Sequence, residues 1–145
     1  MPPDPDHMGT VPIEVDTMAG SSTFTTKGLG ECTFAGDASI HDVPAAMWHA
    51  TLRAEGQSVS YVNVTVWQFK DRSANQIAVG VQLGPTFSHI STIKGSARIG
   101  KGTAKAERSG ETATITVDGR DDKGTALSLR VRCGRVTKPV EGGGR

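Results

Sequence analysis

Long apolar runs and the common catalytic motifs are both missing from this 145-residue sequence. No stretch approaches the roughly 20 apolar residues that cross a bilayer as a helix, so no transmembrane segment is predicted. The chain has no phosphate-binding glycine loop and no G-x-S-x-G turn, which excludes the best-known nucleotide-binding and hydrolase signatures. The opening MPPDPDHMGT lacks the basic start and apolar core of a secretory leader, so export would require a leader outside this sequence.

Aromatic residues and net charge are also in short supply. Aromatic residues make up 5% of the chain, and the net charge at pH 7 is +1. The charges are uneven, with 4 Lys/Arg against 9 Asp/Glu before Lys94 and 12 against 6 from Lys94 onward. The basic part contains no Trp, Tyr or Phe, whereas single-stranded nucleic acids are bound by basic residues interleaved with aromatic rings. Nucleic acid is therefore not a predicted partner, and the asymmetry indicates oppositely charged strands lying side by side.

Glycine, threonine and valine are plentiful, and this composition predicts an all-β fold. Gly accounts for 18 of the 145 residues and Leu is scarce, which suits short strands and tight turns better than helices. Strand-like runs separated by turn residues extend over residues 11–136. Residues 1–10 are interpreted as a disordered tail or tether, and residues 137–145 as a flexible C-terminal tail. About eight to ten short strands predict a single antiparallel β-sandwich or an open barrel.

Alternation along the runs predicts which side chains share a face. In SVSYVNVTVWQFK both faces carry bulk, which predicts a central strand covered on both sides, at least near Trp67. AGDASIHDVPAA is interpreted as a loop or one helical turn, because Pro44 interrupts it. Elsewhere the apolar sets that share a face are Trp48, Ala50 and Leu52; Ile77, Val79 and Val81; Ala113, Ile115 and Val117; and Leu127, Leu129 and Val131.

Two cysteines stand near the two ends of the predicted domain, Cys32 in GLGECTFAG and Cys133 in TALSLRVRC. Each lies in phase with the apolar residues of its strand. They form either a disulfide or two reduced, buried thiols, because free cysteine is itself a common core residue. A metal site is disfavoured, because there is no C-x-x-C pair and the histidines show no ligand spacing. Position favours the disulfide, since the first and last strands of a sandwich are often neighbours, and a disulfide indicates a compartment outside the cytoplasm.

The string that most resembles an active site is SIHDVP, where His41 and Asp42 are adjacent, with His89 as a third candidate. An acid–base pair or metal site there competes with a simple turn capped by Asp42. The turn is favoured, because adjacent residues rarely converge on one ligand without partners. DGRDDKG holds three aspartates without calcium-loop spacing and is interpreted as a hairpin turn. No catalytic residue, metal ligand or cofactor is predicted.

Four residues are the candidates for binding a partner. Trp48 and Trp67 are the binding candidates of an aromatic ligand platform formed by Trp48, Tyr61, Trp67 and Phe69, although aromatic residues at strand spacing more often belong to a core. Arg130 and Arg132 alternate with the apolar residues of their strand, so they are expected to face outward as a small basic stripe. The predicted partner is an unknown protein or glycan ligand at a cell surface, and no oligomeric state is predicted.

The segment from Gly95 to Cys133 combines a Gly-Ser-Ala stretch, a charged RSGE turn, TITVDGR and a strand that ends in cysteine. In this C-terminal half the chain resembles the mycobacterial surface lipoprotein antigen (LpqH-like) family. The resemblance implies an exported, non-enzymatic β-sandwich at a bacterial surface, in which an upstream cysteine, here Cys32, pairs with the last one, here Cys133. The sequence has no lipobox cysteine, so lipid anchoring is not predicted.

The sequence therefore predicts an exported, disulfide-stapled β-sandwich with a binding or surface-structural role and an extracytoplasmic location. Two alternatives remain open. One is a hydrolase-like or metal-dependent enzyme with a site near His41, Asp42 and His89. The other is a cytoplasmic β-domain with reduced thiols that assembles through an edge strand.

Overall fold

Nine strands make up most of the described part of the chain. The computed structural model describes residues 10–40, 43–71, 74–93 and 98–137; both predicted tails, apart from Thr10 and Thr137, lie outside these ranges. The strands are β1 (Val11–Ala19), β2 (Ser22–Ile40), β3 (Val43–Arg53), β4 (Val59–Phe69), β5 (Gln76–Leu83), β6 (Thr86–Ser91), β7 (Lys101–Ser109), β8 (Thr112–Arg120) and β9 (Ala126–Cys133). Every pairing between these strands is antiparallel, which confirms the predicted all-β fold. The described ranges contain no helix of the length and apolar character that a membrane span requires.

The strands form one sheet that is nearly closed on itself like a barrel. Their order is β6-β5-β4-β3-β2-β1-β9-β8-β7, so β6 and β7 are the two edge strands. The two edges meet where Ser91 and Ile99 exchange two backbone hydrogen bonds of 2.8 and 3.0 Å. A further hydrogen bond connects the two ends of the sheet, because Asn75 Nδ2, directly before β5, donates to the carbonyl of Ala104 on β7 at 2.9 Å. Of the two predicted architectures, the structure therefore has the open barrel.

Alternating side chains fill the interior of this barrel. Because successive residues of a strand point to opposite sides, each strand contributes every second residue to the core. The apolar sets predicted from alternation are confirmed as inward faces, and their burial drives folding. The largest fully buried side chains are Leu52, Ile77, Ile90, Ile115, Leu127, Leu129, Val11, Val15, Val59, Val62, Val64 and Val66.

β2 and β3 differ from the predicted arrangement of short strands around a loop. β2 runs for 19 residues and β3 begins at Val43, so AGDASI and VPAA belong to strands. The pairing of β2 with β3 shifts register between Ala35 and Ala38, and an irregularity of this kind bends a long strand. Pro44 is the second residue of β3, a position near a strand end where a missing backbone N–H disturbs the ladder least.

Gly30 lets three strands approach one another closely in the middle of β2. A Cβ at this position would overlap the carbonyl oxygen of Thr51 on β3 and lie 3.0 Å from Ile13 Cδ1 on β1. Glycine inside a strand pattern marks either a turn or a close approach, and here it is the close approach. This explains why GLGE continues β2 instead of interrupting it.

A disulfide bond joins Cys32 on β2 to Cys133 on β9, so the cysteines are not the alternative pair of reduced thiols. Both are buried at the end of the barrel where β1 begins. β1 starts at Val11 and does not extend alongside Cys32. The segment after β9 takes that place: Thr137 pairs with Thr33, and its N–H donates to the Cys32 carbonyl at 2.9 Å. The disulfide and the returning segment therefore close the same end of the barrel.

Asp121 organises the turn between β8 and β9, as expected of a hairpin turn. Its side chain is buried, and Oδ1 accepts hydrogen bonds from the backbone N–H groups of Lys123 and Thr125, each at 2.9 Å. Burial alone would raise the pKa of this carboxyl group. The bonds from Thr125, Lys123 and the Ser88 hydroxyl outweigh burial and hold the pKa below its ordinary value of 3.8.

The lowered pKa of Asp121 makes the turn sensitive to acid. Because the folded-state pKa lies below that of the unfolded chain, this stabilisation is fully present above pH 3.8 and is lost as the pH falls through the folded value. We expect Asp121→Asn to reduce the dependence of the free energy of unfolding on pH between about pH 5 and pH 2. Urea denaturation across that range measures the slope, and equal slopes for the variant and the parent protein would contradict the assignment.

Candidate functional site

The outward side of β3 to β6 forms one continuous surface, here called the β3–β6 face. On β4 the inward residues Val62, Val64 and Val66 are fully buried, while the alternate residues from Tyr61 to Phe69 are only partly buried. Within the described residues these strands belong to a single sheet, with the core on one side only. The structure therefore differs from the prediction of a strand covered on both sides, because β4 packs against the core on one side only.

Aromatic side chains are concentrated on the β3–β6 face. The chain has 4 Phe, 2 Trp and 1 Tyr, and three of these seven lie in the core or pack against it. The other four, which share the β3–β6 face, are Tyr61, Trp67, Phe69 and Phe87. Phe87 is 44% exposed. Aromatic rings gathered on one solvent-facing side mark an interaction surface better than scattered apolar residues do.

Strand pairing arranges this face in rows that run across the strands. Tyr61 and Phe87 lie in one row, because each pairs with Gln82 on β5, and Trp67 lies three rows away along β4. The positions in between carry shorter or polar side chains, here called the polar band: His49, Thr51, Asn63, Thr65, Ala78, Gly80, His89 and Ser91. The face therefore consists of a polar band with an aromatic row on either side.

Three side chains of the polar band form a hydrogen-bonded network. His49 Nε2 lies 2.8 Å from Asn63 Oδ1 and 3.1 Å from Thr51 Oγ1, and the Thr51 hydroxyl donates to Asn63 Oδ1 at 3.4 Å. Both contacts to Asn63 use its amide oxygen, and its NH2 group carries two further donors. Side chains held in one conformation before a ligand arrives lose less entropy when they bind it.

Phe87 is held in place at the edge of the face. Its ring lies over Gly80, where a Cβ would be only 2.7 Å from Phe87 Cζ, so glycine provides the space for the ring. The Phe87 and His89 ring centroids are 5.6 Å apart. Lys123 Nζ, from the turn between β8 and β9, donates to the Phe87 carbonyl at 2.9 Å. The turn organised by Asp121 therefore also supports this end of β6.

The two tryptophans named by the sequence lie on opposite sides of the sheet. Trp48 is 4% exposed, stacks against Phe34 at a centroid distance of 4.5 Å, and donates from Nε1 to Gln68 Oε1 at 2.9 Å. It is a core residue with no surface to offer a partner. Trp67 lies on the β3–β6 face, and its role in binding stays a prediction.

The predicted basic stripe lies on the outward side of β9, next to β1 and away from the β3–β6 face. Arg132 pairs with Glu14 at 3.1 Å and with Asp16 at 2.9 Å, so its charge is balanced within the sheet. Partial burial raises the pKa of Asp16, but hydrogen bonds from Thr25 and Arg132 and the charge of Arg132 bring it below its usual value. Arg130 is exposed beside this cluster, and its binding role stays a prediction.

Two shallow depressions flank the Arg132 ion pairs on that side. Their volumes are about 470 and 430 Å³, and Arg132 lines the first while Arg130 lines the second. Residues of β1, β2, β8 and β9 line both depressions. Because the charged groups there largely bind one another, these depressions offer a ligand less than the β3–β6 face does.

The enzyme alternative rests on three residues, of which the structure describes only His89. His41 and Asp42 lie outside the described residues, and His89 projects from β6 beside Phe87. Across the described ranges, no three His, Cys, Asp or Glu side chains are grouped closely enough to hold a metal ion.

Among the residues of the β3–β6 face, the sequence identifies Tyr61, Trp67 and Phe69 as part of an aromatic ligand platform and His89 as a candidate of the enzyme alternative. His49, Asn63 and Phe87 were assigned no role, although the odd-numbered alternation of SYVNVTVWQF already places Asn63 with Tyr61 and Trp67. Their convergence depends on the pairing of four strands, which a single run of residues does not reveal. The chain matches no family model, no curated protein and no solved structure, so the site is defined by its own side chains alone.

Proposed function

We propose that this protein is an exported, non-enzymatic binding protein whose β3–β6 face contacts a ligand at a cell surface. The observation that carries the proposal is the placement of four of the seven aromatic side chains on one solvent-facing side of the barrel. Interfaces are enriched in aromatic residues, and a few such residues supply most of the binding energy.

The disulfide supports the exported location in this proposal. Disulfides persist in oxidising compartments and are rare in the cytosol, where thiols are kept reduced. The Cys32–Cys133 bond also matches the pairing implied by the resemblance to the LpqH-like family. Membership of that family and display at a bacterial surface remain part of the proposal.

Substitutions on the two sides of the barrel test this proposal. We expect the double substitution Trp67→Ala, Phe87→Ala to weaken binding to cell-envelope fragments of the encoding organism at least about tenfold, because aromatic residues are typical hot spots of interfaces. The control is Met18→Ala, which removes a 48% exposed apolar side chain from the outward side of β1 and should leave binding unchanged. Sedimentation with the fragments measures binding, and circular dichroism confirms that each variant is folded. Equal binding by all three proteins would overturn the proposal.

A further inference from the structure

We infer that the ligand of the β3–β6 face is a neutral glycan chain that lies along the polar band, across the strands. This inference rests on the proposed function and adds the chemical class of the ligand. It is drawn from the side chains of the face, the rows in which they stand, and the pairing of the strands beneath them.

The polar band offers groups that suit sugar hydroxyls. Thr51 and Thr65 contribute hydroxyls, Asn63 an amide, and His49 and His89 imidazoles, so the band both donates and accepts hydrogen bonds. A sugar hydroxyl likewise donates one hydrogen bond and accepts others. None of the polar-band residues is Lys, Arg, Asp or Glu, which favours a neutral ligand over an anionic or cationic polymer.

The aromatic rows suit the apolar faces of sugar rings. A pyranose ring has an apolar face of C–H bonds that packs on an aromatic ring while its hydroxyls point sideways to polar groups. Tyr61 stands on one side of the polar band, the Phe87 ring reaches from that side over Gly80, and Trp67 and Phe69 stand on the other side. The one Lys or Arg among the described residues of this face, Arg53, has its guanidinium 4.8 Å from the Tyr61 ring centre. Arg53 pairs with Tyr61, so it stands in the aromatic row and not in the polar band.

The dimensions of the face suit a chain better than a single sugar. Neighbouring strands are about 4.8 Å apart, so the polar band extends roughly 14 Å from β3 to β6. Tyr61 and Trp67 are six residues apart on β4, a separation of about 20 Å. A monosaccharide would contact only one aromatic row and part of the polar band. A glycan chain would place several sugar units along the band.

A peptide strand fits this face less well. Peptides that add to a sheet bind the free backbone groups of an edge strand. β3, β4 and β5 are each paired on both sides, so their backbone groups are used within the barrel. Over β3, β4 and β5 the face presents side chains in place of a backbone edge. β6 is an edge strand, and Lys123 Nζ already donates to its Phe87 carbonyl.

Selective destruction of envelope components tests the ligand class. The probe is the cell-envelope fragments of the encoding organism, divided into a mock-treated sample, a sample oxidised with periodate and then reduced with borohydride, and a sample digested with protease. Periodate cleaves vicinal diols, and borohydride removes the resulting aldehydes. We expect periodate to abolish at least about nine-tenths of the binding that depends on Trp67 and Phe87, and protease to leave that binding intact.

A substitution in the polar band adds an independent readout. Asn63→Ala removes a hydrogen-bonding group while leaving both aromatic rows, and we expect at least about a tenfold loss of affinity for mock-treated fragments. Met18→Ala again serves as the control. The glycan inference would be overturned if protease abolished the binding that depends on Trp67 and Phe87, or if periodate left that binding intact. The proposed function would stand in either case. Loss of all dependence on Trp67 and Phe87 would instead overturn the proposed function itself.

Discussion

Replacing both Cys32 and Cys133 with alanine is expected to lower the free energy of unfolding by about 4–5 kcal/mol. The two residues are 101 positions apart, so the bond closes a long loop and removes much of the conformational freedom of the unfolded chain. A loss of this size is a large part of the 5–15 kcal/mol that stabilises a typical domain. Both cysteine side chains also belong to the core, so their truncation leaves a small gap in the packing.

Urea denaturation of the double variant measures this loss. Reductant added to the parent protein should produce a similar loss, whereas it should leave the double variant unaffected, because that variant has no disulfide to reduce. A change of less than about 1 kcal/mol, well below the usual range for a native disulfide, would show that the bond does not constrain the unfolded chain as described.

Gly30→Ala is expected to produce the second large effect, a loss of more than about 3 kcal/mol or a failure to fold. The added Cβ overlaps the carbonyl oxygen of Thr51, which belongs to the β2–β3 ladder, and lies 3.2 Å from Leu52 Cα. Backbone atoms in the middle of a paired strand move only if the strands separate. Separation would break the contact between β2 and β3 next to the disulfide.

The matched control for this prediction is Gly28→Ala, two residues away on the same side of β2. There the nearest atom to an added Cβ is Leu52 Cδ1 at 3.1 Å, the end of a side chain that can shift. We expect Gly28→Ala to cost about 1 kcal/mol or less. Thermal unfolding of the two variants compares them directly, and equal losses would show that the close approach at Gly30 is not the cause.

Strand phase is the part of the fold that the sequence predicts well. Val79 and Val81 face inward on β5, and Leu129 and Val131 do so on β9, because burial of one face imposes a period of two on each strand. The same period places Cys133 in the core and so within reach of another buried cysteine. Phase is local information, and a single run of residues contains it.

The extent of β2 and the position of the binding candidates are not local, and here the sequence is a poorer guide. Gly30 and Pro44 are normally turn residues, yet the neighbouring strands make both compatible with a continuous ladder. Trp48 and Trp67 are equally bulky and both stand in strands with good alternation. Only the direction in which the sheet curls decides that Trp48 is enclosed and Trp67 faces solvent.

The position of the disulfide also decides how the protein responds to mechanical force. If the two chain ends are pulled apart, the tension passes through the Cys32–Cys133 bond and bypasses the loop between two residues that are 101 positions apart. Strands β3 to β8 therefore carry no load, and the β3–β6 face keeps its shape under tension. Only β1 and the first part of β2 can be peeled away at the N-terminal side, which releases roughly 75 Å of chain. Without the bond, the loop would add about 350 Å to the extension.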